Sequence, residues 1–242
     1  MTALQECGLG EPQRKLWGLL RRRKCWTLSR RGKLLLLALV GTTAYGAIRG
    51  VHPFLTVSDG GAGDVMVVEG WIPTRPVAQA AKAFQRGRYR CAVVVRDVYD
   101  SDDKWASGRY SADYVAAELV QQGISKDLVH TLFCPVARKD RTYHCALAVR
   151  QWLDHKGFAV KSIDVVTLAA HSRRSRLLYG KAFGPQVQIG AIPLEAPTYD
   201  PDHWWRCSDG VRDVLGEAIA YLYARFLFWP PAVQPAEPDD LR

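Results

Sequence analysis

The stretch VVTLAAHSRRSRLLYGKAFG, residues 165–184, reads as a buried strand running through a tight junction into a helix. Ser172 is the expected N-cap, which puts Arg173 and Arg174 in the first helical turn. That end of a helix carries partial positive charge, so two guanidinium groups there are misplaced unless something negative offsets them. A second helix start repeats the pattern: in VARKDRTYHCA, residues 136–146, Asp140 is the expected cap and Arg141 and Thr142 follow it. First-turn backbone N–H groups, arginine forks and a hydroxyl are the donors that suit a phosphate-bearing ligand. By contrast, Ser208 with Asp209 gives the last helix a start of favourable charge. His171 falls at the end of the strand, where its side chain can enter the crevice and move a proton. Glu69 and Trp71 follow the first apolar run in VVEGWIP; the carboxylate can orient a water or a hydroxyl, and the indole offers a flat face. The candidate site is therefore His171 and Glu69 for chemistry, with Arg141, Thr142, Arg173, Arg174 and Trp71 for the ligand. The competing reading pairs Arg173 and Arg174 with carboxylates elsewhere in the protein and makes Glu69 part of a turn into a helix. Neither Ser172 nor Thr142 sits in a G-x-S-x-G elbow, and no distant acid is identifiable as a triad partner.

These residues need a scaffold that brings strand ends together. Apolar runs at 64–68, 91–95, 128–134, 162–168 and 187–193 alternate with helical patterns at about 76–87, 109–122, 141–156, 172–182 and 209–228. Continuous apolar strands alternating with amphipathic helices predict an α/β fold, a Rossmann-like parallel sheet of about five strands with helices on both faces. Ligands in such sheets bind beyond the carboxyl ends of the strands, where all the candidate residues fall. The long acidic segment 96–114 is a lid or a solvated surface, and Trp204 and Trp205 are core or a stacking platform. SDGGAGD, residues 58–64, reads as a short flexible linker, and PPAVQPAEPDD, residues 230–240, as a disordered tail.

The net charge of +9 is unevenly placed. Residues 1–50 hold ten of the 33 Lys and Arg but two of the 24 Asp and Glu, leaving the rest nearly neutral. A basic tail on a balanced domain argues against a nucleic-acid partner. The basic block RRRKCWTLSRRGK, residues 21–33, precedes LLLLALVGTTAYGAI, residues 34–48, which has no charge. That layout predicts a basic cytoplasmic tail over 1–33, a transmembrane anchor or uncleaved signal over 34–55, an α/β domain over 64–229 and the tail over 230–242. A cleaved signal and a buried helix are the alternatives. Fifteen uncharged residues make about 22 Å of helix against a hydrocarbon core of about 30 Å, so an anchor must run on through GVHPFL or let Arg49 snorkel. The positive-inside rule leaves the N-terminus cytoplasmic and the domain outside the inner (cytoplasmic) membrane, in a single pass. Cys7 and Cys25 would then be cytoplasmic, while Cys91, Cys134, Cys145 and Cys207 would face an oxidising compartment, with three pairings open. No metal-ligand spacing is present.

Five segments in order, VVEGWIP, SADYVAAELVQQGI, DRTYHCALAVRQWL, VVTLAAHSRRSRLLYGKAFG and WWRCSDGVRDVLGEAIAYLY, resemble the YdcF/SanA/ElyC family of bacterial envelope proteins, in its branch with E-G-W after the first strand. The similarity spans roughly residues 64–225. It implies a Rossmann-like domain, often behind one N-terminal transmembrane helix, linked to envelope integrity and peptidoglycan-precursor metabolism. The family's site carries over as Glu69, Arg141, Thr142, His171 and Arg174. Two features depart from the family: Arg96-Asp97 stands where many members have Gly-Gly, and Tyr143-His144-Cys145 where many have a carboxylate. The expectation is a membrane-anchored envelope protein binding an anionic, phosphate-bearing ligand, a small molecule or a lipid-linked precursor, at the carboxyl edge of the sheet. Turnover is left open. The alternatives are a non-catalytic envelope-assembly factor and a nucleotide- or methyl-donor-binding protein; no cofactor is assigned beyond a nucleotide-like ligand.

Overall fold

A computed structural model describes residues 14–15, 20–21, 29–97, 112–134, 137 and 139–230. Most of the basic tail, most of the acidic segment 96–114 and the tail from 231 lie outside these residues, and with them the expectations placed there. The chain divides into two units, Met1–Tyr45 and Gly46–Arg242.

Helix α1 (Arg30–Leu55) is one continuous helix of 26 residues that accommodates Pro53. Its mean hydropathy is 1.6 over an 18-residue window in which nothing is buried, so by length and composition it can cross a membrane. Twenty-six residues rise about 39 Å, beyond the roughly 30 Å of a hydrocarbon core. The helix runs on through GVHPFL, where His52 and Leu55 are buried.

The second unit is the expected α/β fold. Strands β1 (Val65–Glu69), β2 (Cys91–Asp97), β3 (Val129–Cys134), β4 (Ser162–Leu168) and β5 (Gln188–Leu194) are all parallel and lie in the order β3-β2-β1-β4-β5. Helices α2 (Thr74–Arg86), α3 (Ala112–Gln121), α4 (Arg141–His155) and α5 (Ser172–Phe183) connect them, and α6 (Ser208–Phe226) closes the domain. Alternation of side chains along each strand supplies two cores. Val65, Val67, Val93 and Val165 face α4 and α5, packing with Val149, Leu178 and Phe183. Met66, Val68, Val94 and Val166 face α2 and α3, packing with Val77, Phe84 and Leu119. Burial on both faces explains why the strands read as unbroken apolar runs.

One buried acid interrupts them. Asp164, in β4, accepts the N–H groups of Gly61 and Gly63, each at 2.8 Å, and the Tyr89 hydroxyl at 2.7 Å. Residues 58–64 are therefore not a free linker, as their composition predicts, but a strap. Asp59 adds a second tie, accepting from Ala191 N–H at 3.0 Å and pairing with Arg176 at 3.0 Å.

Chain order reverses between β1 and β4. β1 leads to α2 on one face and β4 to α5 on the other, so the helix starts diverge and open a crevice at the carboxyl edge.

Candidate functional site

Glu69 is the last residue of β1 and is 5% exposed. Its two oxygens accept from Thr167 Oγ1 on β4 at 2.5 Å and from Ser175 Oγ on α5 at 2.9 Å. The carboxylate therefore ties three elements together at the floor of the crevice. Gly70 follows because nothing larger fits: a Cβ there would lie 2.5 Å from Val95 O and 2.6 Å from the Ala112 Cβ. The turn it permits brings the Trp71 ring to 4.8 Å from the His171 ring, edge-on at 60°.

After β4 the chain makes a 3-10 turn, Ala169–His171, and His171 rather than Ser172 occupies the N-cap position of α5. This corrects the expected cap. The Ser172 hydroxyl is fully buried and turned the other way, accepting Val57 N–H at 2.8 Å and donating to Leu55 O at 3.1 Å. The two arginines behind it part company. Arg173 Nε donates to Phe54 O, and its guanidinium lies 4.1 Å over the Phe54 ring and 6.0 Å from that of Tyr221. It holds the end of α1 and is not among the residues lining the crevice. Successive helical residues diverge by about 100°, and here the two arginines meet different partners, Phe54 and Glu217.

Arg174 does line the crevice, but it meets a carboxylate of the protein. Glu217, on α6, accepts from Arg174 Nε at 2.6 Å and from Nη2 at 2.8 Å. The same carboxylate stands 2.8 Å from His171 Nδ1, and Arg174 Nη1 donates to Thr142 Oγ1 at 3.2 Å. Burial pushes the Glu217 pKa up, yet the hydrogen bonds and positive charge of His171 and Arg174 outweigh it and bring it down to about 2. A carboxylate acceptor at Nδ1 holds a proton on that nitrogen and so directs Nε2 to be the one that exchanges a proton.

Arg141 and Thr142 open α4, and Asp140 holds the cap position in left-handed backbone, φ 54°, without a side-chain cap bond. A disulfide joins Cys134 at the end of β3 to Cys145 in α4, pinning this helix start. It settles the pairing: Cys91 and Cys207 are free. Cys207 instead caps α6, its Sγ accepting Gly210 N–H at 3.4 Å, where Ser208 was expected to do so. Trp204 is buried, its Nε1–H donated to Ile48 O at 3.1 Å, and Trp205 lies under the Arg49 guanidinium at 5.1 Å. Neither indole lines the crevice.

The crevice is a cleft of about 710 Å³. Its lining includes Glu69, Trp71, Arg141, Thr142, His171 and Arg174, and adds Asp140, Tyr179, Glu217 and Tyr223. Six of the seven expected site residues thus converge, and Arg173 does not. With Glu69, Asp140 and Glu217 set against Arg141 and Arg174, the lining is mixed in charge rather than the cationic cradle two paired arginines suggest. Tyr179 adds a buried hydroxyl with no hydrogen bond among the described residues, and burial together with the Glu69 charge raises its pKa well above the ordinary range.

Glu217 is the residue the sequence reading misses. The available signal is a lone acid on the buried side of α6, between Val214 and Ala224, where only a partnered carboxylate survives. Scans against models of known protein families and a search of the curated proteins find no match for this chain.

Proposed function

We propose that this protein is a membrane-anchored bacterial envelope protein whose cleft binds an anionic, phosphate-bearing ligand and transfers a proton at it through His171. The observation that carries the chemistry is the 2.8 Å contact between Glu217 and His171 Nδ1. It supplies the acid that the motifs lack and orients the imidazole from behind. In this reading Arg141, Thr142 and the start of α4 hold the phosphate oxygens. His171 Nε2 takes the proton of an attacking water or hydroxyl and returns it to the leaving oxygen. Arg174, neutralised by Glu217, positions Thr142 and the imidazole, and Trp71 covers His171. Glu69 shapes the floor and is a positioning residue.

The envelope assignment draws on three supports. They are the resemblance to the YdcF/SanA/ElyC family, the basic residues placed ahead of α1, and a Cys134–Cys145 bond of the kind that persists in oxidising compartments. They favour the domain on the outer side of the cytoplasmic membrane and a substrate from peptidoglycan-precursor metabolism.

The test uses the full chain in detergent micelles. Thermal unfolding is followed with inorganic phosphate, phenyl phosphate and p-nitrophenyl phosphate as probes. A probe at 100 times its Kd adds about 2.7 kcal/mol to stability. Arg141→Ala is expected to abolish that gain, and His171→Gln to keep it while lowering p-nitrophenyl phosphate turnover about 10²–10⁴-fold. Failure of all three probes to stabilise the protein, or equal stabilisation of Arg141→Ala, overturns the reading.

A further inference from the structure

Tyr179 takes no part in the proton transfer at His171, yet it is built into the same cleft. It lies one turn beyond Ser175 on α5 and is among the residues lining the cleft. Its side chain is 0% exposed, and its hydroxyl has no hydrogen bond among the described residues. Its ring packs in the core nearly parallel to that of Phe183, with centroids 6.4 Å apart, so the phenol is held in place. A helical side chain leans back over the preceding turn, which sends this hydroxyl toward Ser175 and the Glu69 carboxylate that Ser175 holds. The Glu69 charge is felt there: together with burial it keeps the phenol in its protonated, donating form.

Leaving a buried hydroxyl unpaired is costly, and folded proteins do it rarely. This one stands at a cleft, so its partner can come from outside the chain. Glu69 restricts what that partner is. Each of its oxygens already accepts one hydrogen bond, from Thr167 and from Ser175, and its negative charge disfavours a second anion beside it. A phosphate group therefore belongs at Arg141 and the start of α4, and not on this floor. A neutral hydroxyl suits the floor: its oxygen accepts from Tyr179 and its proton turns toward the carboxylate. Trp71, 38% exposed in the same cleft, offers apolar surface to the carbon skeleton that carries both groups.

We propose that Tyr179 is a specificity residue of the cleft, and that the ligand is a phosphate ester whose organic part carries a free hydroxyl received by the Tyr179 phenol. The proposal rests on the cleft binding phosphate and adds a second anchor, which tells such an ester from a plain alkyl phosphate. A buried polar group discriminates well, because an analogue without the hydroxyl leaves the phenol unpaired.

The full chain in detergent micelles is titrated by calorimetry with two matched pairs: glycerol 3-phosphate against propyl phosphate, and glucose 1-phosphate against cyclohexyl phosphate. The expected result is that in at least one pair the hydroxylated ester binds about 3–10-fold more tightly. Tyr179→Phe keeps the ring and should erase that preference. Thermal unfolding of the free variant should stay level or rise, since the change deletes an unpaired group. With a fluorotyrosine at position 179, which keeps the hydroxyl, the fluorine NMR signal should move with the hydroxylated ester and not with its partner. Equal affinities within both pairs in the wild-type chain overturn the proposal and leave the phosphate reading standing. So does a preference that persists in Tyr179→Phe, and so does a fluorine signal that moves equally with both members of a pair. Absence of binding by all four esters overturns the phosphate reading, and this proposal with it.

Discussion

Glu217 reaches His171 Nδ1 at 2.8 Å, and the same carboxylate takes two hydrogen bonds from Arg174 at 2.6 and 2.8 Å. One side chain of α6 thereby sets the tautomer of the histidine and cancels the charge of the arginine. His171 and Arg174, which look like separate donors in sequence, thus act as one unit with Glu217.

That unit makes stability depend on acid. Glu217 has a folded pKa of about 2 against an ordinary 4.5, so in between the unfolded chain binds a proton that the folded one does not. Its contribution is full above about pH 4.5 and is lost as pH falls through 2, an effect on the order of 3 kcal/mol. Urea unfolding followed by circular dichroism from pH 6 to pH 2 should show this slope in the wild-type chain. Glu217→Gln should flatten it and lower stability at pH 6 by about 3–5 kcal/mol, because Arg174 is left buried without its anion.

The adjacent arginines are expected to respond unequally. Arg174→Ala leaves Glu217 buried beside an unpaired site and should cost about 3–5 kcal/mol in urea unfolding. Arg173→Ala removes a cation–π contact and one hydrogen bond at the surface and should cost about 1–2 kcal/mol. Hydrogen exchange separates them further: Arg173→Ala should raise exchange at residues 54–57 and leave α6 unchanged.

Much of this architecture is legible in the sequence, because parallel strands buried on both faces leave unbroken apolar runs such as Val65–Val68 and helices leave their periodicity. Glu69, Arg141, Thr142 and His171 are found by position alone, since strand ends and helix starts at one sheet edge must meet. What stays hidden is pairing across elements. Nothing local tells Arg173 from Arg174; the difference is whether Phe54 or Glu217 lies opposite. Nothing local marks residues 58–64 as a strap, since their donors reach Asp164 about a hundred residues on.

The strap leaves no room for a side chain at Gly190. A Cβ there would lie 2.1 Å from Asp164 Oδ1 and 2.8 Å from the Gly60 Cα, and neither is a flexible side-chain end. Asp164 is itself fixed by three donors. Gly190→Ala should therefore destabilise by about 1–3 kcal/mol in denaturant unfolding. It should also expose the 58–64 segment to proteolysis, whereas Gly216→Ala, with nothing within 4 Å of the added carbon, should stabilise or be neutral.

The disulfide is placed where loss of order would reach the ligand. Cys134 ends β3 and Cys145 lies one turn into α4, so the bond closes a short segment, 11 residues apart in sequence, and fixes the helix start that carries Arg141 and Thr142. Cys134→Ser with Cys145→Ser should lower stability by about 2–3 kcal/mol through the freed chain entropy of the unfolded state. The α4 start should show faster hydrogen exchange, and phenyl phosphate should bind more weakly because donors that must be ordered on binding no longer come ordered. The His171–Glu217 contact joins the cap position of α5 to α6 and involves neither cysteine, so the acid slope of stability should survive. Urea unfolding across pH and a binding titration on one double variant thus separate the part of the site the disulfide orders from the part it does not.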